Sequence, residues 1–269
     1  MLISHHHRFV FVKPRKTAGT TAELALSPFL EPGDLATPIQ LEEEPLRIVN
    51  PGVKVGVVHG LGRLGWPLRL RDHSPLARAE AMLGAAIAGY RVVSMVRNPW
   101  DRAVSQFFWS QRRTDIRTRP RAEQAAAFRA FTRRWGPACW RARFLGRDRQ
   151  RKLDNSGLYC IGGRCRAGFL VRFEHLATDM AALQDWLGLP GRALRLEHTK
   201  GGWRGDAGDW RALYDRATRD LVARACAREI ALAGYEFGRD APRLGPVITA
   251  PGAAGRTRAV TSGTAGLAR

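Results

Sequence analysis

The sequence predicts an α/β protein with a central parallel sheet and flanking helices. Two apolar runs, residues 9–12 and 92–96, each lead into a short polar turn and then into a helical pattern. Nearly continuous apolar strands are typical of parallel strands that helices cover on both faces. The chain has 269 residues, of which 45% are hydrophobic, so it is long enough to bury one full core.

The first of these strand–turn–helix units reads FVFVKPRKTAGTTAE and spans residues 9–23. Its helix is predicted to begin at Thr20 or Thr21 and to run to about Phe29. A threonine at a helix start caps free backbone N–H groups, and an acidic residue such as Glu23 in the first turn suits the helix dipole. The unit therefore predicts a helix N-terminus placed directly behind a basic turn.

The turn itself has the residues of an anion site. Arg15 and Lys16 add full positive charges to the backbone N–H groups that converge where a strand, a loop and a helix start meet. Gly19 allows the backbone to approach a ligand closely. We therefore expect a phosphate or sulfate to bind here, against the plainer alternative of a basic strand–turn–helix with no ligand.

The turn differs from the common nucleotide-binding P-loop. That loop requires G-x-x-x-x-G-K-[ST], with the lysine between a glycine and the hydroxyl that holds magnesium. In this chain the lysine precedes the glycine, and GK[ST] does not occur anywhere. A P-loop kinase is therefore kept only as an alternative, because it would require magnesium and a GK[ST] element that this chain lacks.

Charge and composition narrow the class of ligand. The net charge is +20, from 44 Lys and Arg against 24 Asp and Glu, which favours anionic ligands. A basic nucleic-acid-binding protein is the non-enzyme alternative, but we find no recognition motif and that interpretation leaves Lys16 unexplained.

No apolar run is long enough for a membrane helix, and no signal peptide is apparent, so we expect a cytoplasmic protein without stable membrane insertion. The four cysteines lack a C-x-x-C spacing, so we expect no metal site.

The other elements follow from periodicity and turn residues. Residues 31–71 are irregular, with one short strand at 53–58, and Pro75 precedes a helix from Leu76 to Gly89. Further along, the sequence predicts a helix capped by Asn98 with Pro99 in its first turn and a helix at 121–135. It also predicts a hairpin from Gly157 to Phe173, with LYCI as its first strand and a turn at Gly162 and Gly163, and helices at 176–187 and 210–233. This hairpin places Cys160 opposite Cys165. Residues 238–269, rich in Ala, Gly, Thr and Pro, are expected to be a disordered tail.

The second strand–turn–helix unit carries a second candidate for anion binding. Arg97 closes the strand, and Ser105 follows eight residues later in the next helix. Strand ends and the first turns of the following helices meet at the carboxyl edge of a parallel sheet, where α/β proteins bind ligands. A guanidinium and a hydroxyl there are suited to a terminal phosphate. The alternative is that Arg97 binds a backbone carbonyl and Ser105 only packs.

Taken together, the two units resemble the sulfotransferases that use 3′-phosphoadenosine 5′-phosphosulfate (PAPS). The loop that binds the 5′-phosphosulfate in that family is similar to KPRKTAGTT, and its 3′-phosphate element is similar to VRNPWDRAVS. The likeness continues through DHSPLARAEAMLG, VRFEHL and LYDRATRDLVARACAREIALAGYEF and covers most of residues 8–237. It is nearest to the carbohydrate sulfotransferase branch. It implies a P-loop-like sulfotransferase architecture and one sulfotransferase domain over residues 1–237.

The resemblance also implies roles for individual residues. Lys16 would contact the bridging oxygen and the sulfuryl group of PAPS, and Arg97 and Ser105 would hold the 3′-phosphate. The residues around the 5′-phosphosulfate would be Arg15, Thr17, Gly19, Thr20 and Thr21. Lys200, in KGGWRGDAGDW, would contact the nucleotide late in the chain, although this stretch departs from the family's RKG pattern. The acceptor would be a hydroxyl of a glycan or glycoconjugate, the product adenosine 3′,5′-bisphosphate, and no metal would be required.

An acceptor hydroxyl needs a base, and two histidines compete for that role. His73 matches a histidine found before a helix in the related enzymes, and histidine is suited to proton transfer near neutrality. His59, in the irregular segment, is the rival. The family also allows a carboxylate in this role, and the plain alternative is that both histidines lie at the surface without a function.

Overall fold

The computed structural model describes residues 1–61, 65–134, 153–191, 194–196 and 208–246. It confirms an α/β protein with a central, mostly parallel sheet and flanking helices. The strands are β1 (Leu2–Ser4), β2 (Phe9–Phe11), β3 (Leu35–Ala36), β4 (Lys54–Val55), β5 (Val58–Leu61), β6 (Pro67–Leu70), β7 (Arg91–Val96), β8 (Cys160–Ile161), β9 (Arg164–Cys165) and β10 (Phe169–Arg172). Six of them form the central sheet in the order β10-β7-β2-β1-β3-β4, and β5-β6 and β8-β9 form two separate pairs.

The three strands β2, β7 and β10 run parallel at the centre of the fold. Val10 pairs with Val92 and Phe11 with Val93, while Phe169 also pairs with Val93 on the other side. Side chains alternate between the two faces of a strand. Accordingly Phe9 and Phe11 enter one hydrophobic core and Val10 enters the other. Burial on both faces explains why the sequence shows continuous apolar runs rather than alternation.

The sheet also contains a strand that the sequence analysis did not assign. β1 pairs antiparallel with β2, with Leu2 opposite Phe11 and Ser4 opposite Phe9. Leu2 and Ile3 are almost completely buried. A run of three residues followed by three histidines carries no periodicity, so only the pairing with β2 reveals this strand.

The helices are α1 (Gly19–Leu26), α2 (Leu76–Leu83), α3 (Pro99–Ser110), α4 (Arg121–Arg133), α5 (Ser156–Tyr159), α6 (Leu176–Leu187), α7 (Arg216–Ala225) and α8 (Ala227–Ala233). Helices α1 and α6 contribute to the core that contains Phe9 and Phe11, whereas α3, α4 and α7 contribute to the core on the opposite face. The predicted cap of α3 is confirmed, because the side chain of Asn98 accepts from the N–H groups of Trp100 and Asp101.

Three predicted helix boundaries are wrong. Helix α1 ends at Leu26 and continues to Phe29 only as a tighter 3₁₀ turn, and α2 changes to a 3₁₀ segment over Gly84–Gly89. The single helix predicted at 210–233 is a 3₁₀ turn, Trp210–Leu213, followed by α7 and α8. A new helix starts at α7 because Asp215 and Thr218 form a reciprocal capping box there.

The predicted hairpin is confirmed at its turn and wrong at both ends. Leu158 and Tyr159, predicted in its first strand, lie in helix α5, and the strand begins at Cys160. Gly162 and Gly163 have φ of 57° and 80°, as a two-residue type I′ turn requires, and Cys160 lies opposite Cys165. The second strand stops at Cys165, and the chain joins the central sheet as the separate strand β10. The strand predicted at 53–58 is likewise divided between β4 and β5.

Part of the segment assigned by sequence to the tail packs against the body of the protein. The N–H of Arg243 donates to the carbonyl of Gly234 at 3.1 Å, and the side chain of Asn98 donates to the carbonyl of Arg239 at 3.1 Å. Residues 247–269 of the expected tail lie outside the described residues. Within the part of the chain that the structure describes, no helix has the length and apolar character needed to cross a membrane.

Candidate functional site

The fold brings the two predicted anion units to one edge of the sheet. The loop of residues 13–18 follows β2, and Arg97 follows β7, its parallel neighbour, so both lie at the carboxyl edge. A direct bond joins them: Nη1 of Arg97 donates to the carbonyl oxygen of Lys16 at 3.0 Å. The two stretches that the sequence singled out, 81 residues apart, therefore form one site.

The 13–18 loop has an uncommon backbone. Lys16 and Ala18 have φ of 59° and 63°, in the left-handed region that costs a non-glycine residue about 1–2 kcal/mol. Left-handed residues alternating with other conformations turn successive N–H groups toward one side and form an anion-binding concavity. Helix α1 begins directly after Ala18, and no described side chain caps it. The loop thus has two left-handed residues within the three positions directly before an uncapped helix start.

The threonines of this region do not act as the predicted helix cap. Helix α1 begins at Gly19, so Thr20 and Thr21 lie inside its first turn, and both are buried. The hydroxyl of Thr17, also buried, donates to the carbonyl of Pro14 at 3.3 Å and thereby closes the loop on itself.

Gly19 has a packing reason in addition to its predicted role. A Cβ atom at Gly19 would lie 2.6 Å from Cγ of Lys13, which is too close for two carbon atoms. The missing side chain therefore makes room for Lys13, which passes under the start of α1. That Gly19 also lets a ligand approach stays a prediction.

A buried cluster of charges lies beneath the loop. The ammonium of Lys13 binds Oε2 of Glu23 at 2.8 Å and Oδ1 of Asp72 at 2.9 Å, and the amino group of Met1 also pairs with Glu23. Burial opposes the charge of Glu23, but these two cations hold its pKa below the ordinary value. Glu23 is thus a fully buried ion-pair partner and not the first-turn helix-dipole residue that the sequence predicted.

His73 lies against the first residue of the loop. Its Nδ1 is 3.0 Å from the carbonyl oxygen of Lys13, so Nδ1 carries the proton and Nε2 is the basic nitrogen. Nε2 faces Oδ2 of Asp72 at 3.4 Å, where a carboxylate stabilises the imidazolium that forms when Nε2 accepts a proton. Burial nevertheless lowers the pKa of His73, more than Asp72 raises it. The lowered pKa favours the neutral imidazole, which is the form that can accept a proton.

His59 lies elsewhere. It is exposed on β5, opposite Arg69 of β6, and lines a cavity of about 410 Å³. His5 lines the same cavity, from the turn at residues 5–8 that precedes β2, whereas the 13–18 loop follows β2. Among the described contacts none links His59 to the loop. The geometry favours His73 over His59 as the residue beside the anion site.

Arg15 places a second cation in the 13–18 loop, next to Lys16. Its side chain is half-buried, and within the described chain its guanidinium makes no hydrogen bond or ion pair. Burial lowers its pKa, Asp72 opposes that shift, and nearby Arg102 lowers the pKa by less than Asp72 raises it. A partly desolvated cation without a partner is unfavourable unless a ligand supplies the negative charge.

Lys16 and Arg97 both contact aromatic rings. The ammonium of Lys16 lies 4.3 Å from the ring centre of Trp109, on α3, in a cation–π contact. The guanidinium of Arg97 stacks on Phe173 at 3.8 Å, and its Nε donates to Asp101 at 2.7 Å. Both cations are therefore held near α3, the helix that carries Ser105.

The remaining predicted site residues divide in two. Ser105 is half-buried on α3, two turns beyond Arg97, and its hydroxyl has no hydrogen-bond partner in the described part of the chain. Lys200 lies outside the described residues. Sequence reasoning placed Ser105 on the correct helix because Asn98 and Pro99 mark the start of that helix.

Sequence reasoning missed one residue that binds the loop directly. The side chain of Asn155 accepts from the N–H of Arg15 at 3.1 Å and donates to the carbonyl of Arg15 at 2.9 Å. The two residues are 140 positions apart, and no local pattern signals such a contact.

Comparison with known proteins adds no assignment, since neither a family model, nor a curated protein, nor a solved structure matches this chain.

Proposed function

We propose that this protein is a sulfotransferase that moves a sulfuryl group from PAPS to a hydroxyl of a glycan or glycoconjugate. The observation that carries the proposal is the 13–18 loop, where Lys16 and Ala18 are left-handed directly before an uncapped helix start and the half-buried guanidinium of Arg15 makes no hydrogen bond or ion pair with the described residues. The same proposal assigns the sheet and its flanking helices to the P-loop-like sulfotransferase architecture.

The loop is suited to the phosphosulfate of PAPS, which carries negative charge on both the sulfuryl group and the phosphate, on either side of the bond that breaks. In sulfuryl transfer the bond from sulfur to the acceptor oxygen forms while the bond from sulfur to the phosphate oxygen breaks, and negative charge moves onto the departing phosphate. Fixed N–H groups and a cation aimed at that charge lower the barrier. Lys16 supplies the cation, while Arg15, Thr17, Gly19, Thr20 and Thr21 surround the phosphosulfate.

The second unit would distinguish the donor from a simple 5′-nucleotide. Arg97 and Ser105 would bind the 3′-phosphate, with Lys200 contributing from the later loop. Because Arg97 also holds the carbonyl of Lys16, a 3′-phosphate bound there is coupled to the position of the catalytic loop. The order of lysine and glycine differs from that of magnesium-dependent P-loops, so we expect transfer without a metal.

His73 would accept the proton of the acceptor hydroxyl at Nε2. Its Nδ1 is occupied by the carbonyl of Lys13, which fixes the ring beside the loop. The carboxylate of Asp72 then stabilises the imidazolium as the hydroxyl oxygen forms its bond to sulfur.

The experiment that tests this function compares nucleotides by thermal denaturation, with a metal chelator in every sample except the one that contains ATP and magnesium. Adenosine 3′,5′-bisphosphate should stabilise the protein, by about 2.7 kcal/mol at 100 times its dissociation constant. The same concentration of 5′-AMP should give a much smaller shift, and ATP with magnesium should give no larger one. Equal shifts from the bisphosphate and 5′-AMP would remove Arg97 and Ser105 from the 3′-phosphate role. No shift with any of the three would overturn the function.

A further inference from the structure

Asn155 combines two unusual features. It occupies the N-cap position of helix α5, where an asparagine side chain normally accepts from the first-turn N–H groups, yet it makes no such bond. Its carboxamide is spent instead on both backbone polar groups of Arg15. The neighbouring Asp154 takes over the N–H of Ser156 at 2.9 Å. A residue suited to capping is therefore diverted to the loop, and another residue replaces it.

The paired bonds fix the loop where its backbone is strained. Arg15 directly precedes Lys16, whose positive φ is unfavourable for a residue with a side chain. Such a conformation persists only where the surroundings determine it. Asn155 holds the loop from one side at Arg15, and Arg97 holds it from the other at the carbonyl of Lys16. Asn155 itself is fully buried, so water does not compete for its bonds.

Asn155 is in turn tied to helix α3. Its own backbone N–H donates to Oε2 of Glu229 at 3.0 Å, and the same oxygen accepts from Nη2 of Arg102 at 2.5 Å. Arg102 lies on α3 between Arg97 and Ser105, and both Arg102 and Glu229 are buried. A continuous chain of bonds thus runs from the 13–18 loop through Asn155 and Glu229 to the helix of the second anion unit.

We propose that Asn155 is a positioning residue that holds the 13–18 loop in its anion-binding shape and, through Glu229 and Arg102, in register with α3. This inference rests on the proposed function, because the register it sets is the spacing between a 5′-phosphosulfate and a 3′-phosphate. Asn155 touches neither group. Its effect on transfer acts through the backbone of Arg15 and Lys16.

The test compares Asn155→Ala with Asn50→Ala. Asn50 is a matched control because its carboxamide also binds loop backbone, donating to the carbonyl of Leu30 at 2.9 Å, but outside the site. Asn155→Ala should speed hydrogen exchange at the amide of Arg15 and weaken binding of adenosine 3′,5′-bisphosphate, each by about tenfold for the loss of two hydrogen bonds. It should raise the Michaelis constant for the donor and lower turnover, and leave the Michaelis constant for the acceptor unchanged. Asn50→Ala should lower only the melting temperature.

Each result has one reading. If wild-type protein binds the bisphosphate and Asn155→Ala binds it equally well, the positioning role is overturned while the proposed function stands. Faster exchange at Arg15 with unchanged donor affinity and turnover overturns it as well. If wild-type protein binds no bisphosphate, the proposed function fails first and the inference fails with it. Should Asn155→Ala not fold, Asn155→Asp is the deciding variant. It keeps the oxygen that accepts from the N–H of Arg15 and loses the N–H that donates to the carbonyl of Arg15. Exchange at Arg15 should then stay slow while the donor Michaelis constant rises, and an unchanged constant contradicts the proposal.

Discussion

The two strand–turn–helix units of this protein follow one plan and end in opposite ways. After β7, the chain enters α3 through Asn98, whose side chain accepts from two N–H groups of the first turn. After β2, the chain enters α1 through Ala18, a left-handed residue, and no described side chain caps the helix. The second unit thus caps its helix start with a side chain, whereas the first unit does not.

The two units contribute different groups to the same edge of the sheet. The capped unit contributes side chains: Arg97 reaches across to the carbonyl of Lys16, and Asp101 in the first turn of α3 holds Arg97 in place. The uncapped unit contributes backbone N–H groups in a strained loop. A strained loop needs support from outside, and the capped unit and Asn155 supply it. The capped unit thus helps to fix the loop of the uncapped unit.

The largest expected effect comes from a substitution at Lys16, in the loop of the uncapped unit. Lys16→Ala should lower turnover about 100- to 1000-fold, because one group that stabilises transition-state charge is worth about 2.7–4 kcal/mol. Binding of adenosine 3′,5′-bisphosphate should weaken far less, since the product lacks the transferring group. Lys54, an exposed lysine on β4, provides the control, and Lys54→Ala should leave both quantities unchanged. Equal losses in turnover and product affinity would make Lys16 a binding residue only.

The next effect concerns His73, the proposed base, which lies beside the loop of the uncapped unit. His73→Ala should lower turnover roughly 100-fold and leave bisphosphate affinity intact, as expected for the loss of a general base. In the wild-type protein the pKa of His73 is lowered, so the ring stays neutral below the usual 6.5 and the acidic limb of kcat/KM should fall below that pH. The variant should lack this limb.

His59→Ala is the control for that experiment. Because His59 is exposed and lines a separate cavity with His5, its removal should leave the pH profile unchanged. Near-normal turnover of His73→Ala together with inactive His59→Ala would reverse the assignment of the base.

A smaller effect is expected when the helix cap of the capped unit is removed. Asn98→Ala leaves the first-turn N–H groups of Trp100 and Asp101 without their acceptor, which should cost about 1 kcal/mol of unfolding free energy. For a protein of this size the melting temperature should fall by about 2–4 °C. Thr17→Ala, which loses a hydroxyl bond to Pro14 within the loop, is a comparison at the other unit and should cost no more. An unchanged melting temperature for Asn98→Ala would mean that the cap contributes nothing to α3.

The smallest effect has the opposite sign. Ala18→Gly removes a side chain from a residue with φ of 63°, where glycine pays no steric penalty. The relief of strain should exceed the added flexibility of the unfolded chain and raise the unfolding free energy by about 0.5–1 kcal/mol, measured by denaturant titration. A loss of stability instead would show that the methyl group of Ala18 packs more favourably than its backbone is strained.

The sequence by itself determined the features that depend on near neighbours. The apolar runs of β2 and β7, the Asn98 cap with Pro99 behind it, and the Gly162–Gly163 turn all follow from contacts within a few residues, which a one-dimensional pattern records. Lys16, Arg97 and Ser105 are predicted as site residues from such local offsets and from the family resemblance. Each sits at a fixed offset from a strand end or a helix start.

The tertiary structure alone decided the contacts that close over long stretches of chain. Asn155 binds Arg15 from 140 residues away, and His73 reaches the carbonyl of Lys13 from 60. Glu23 was misassigned because its helix position suggested a dipole role, whereas burial against Lys13 and the amino group of Met1 made it an ion-pair partner. Local patterns fix which strand and helix form. Which distant side chain then meets a given backbone group depends on how those elements pack, and no spacing in the sequence encodes that distance.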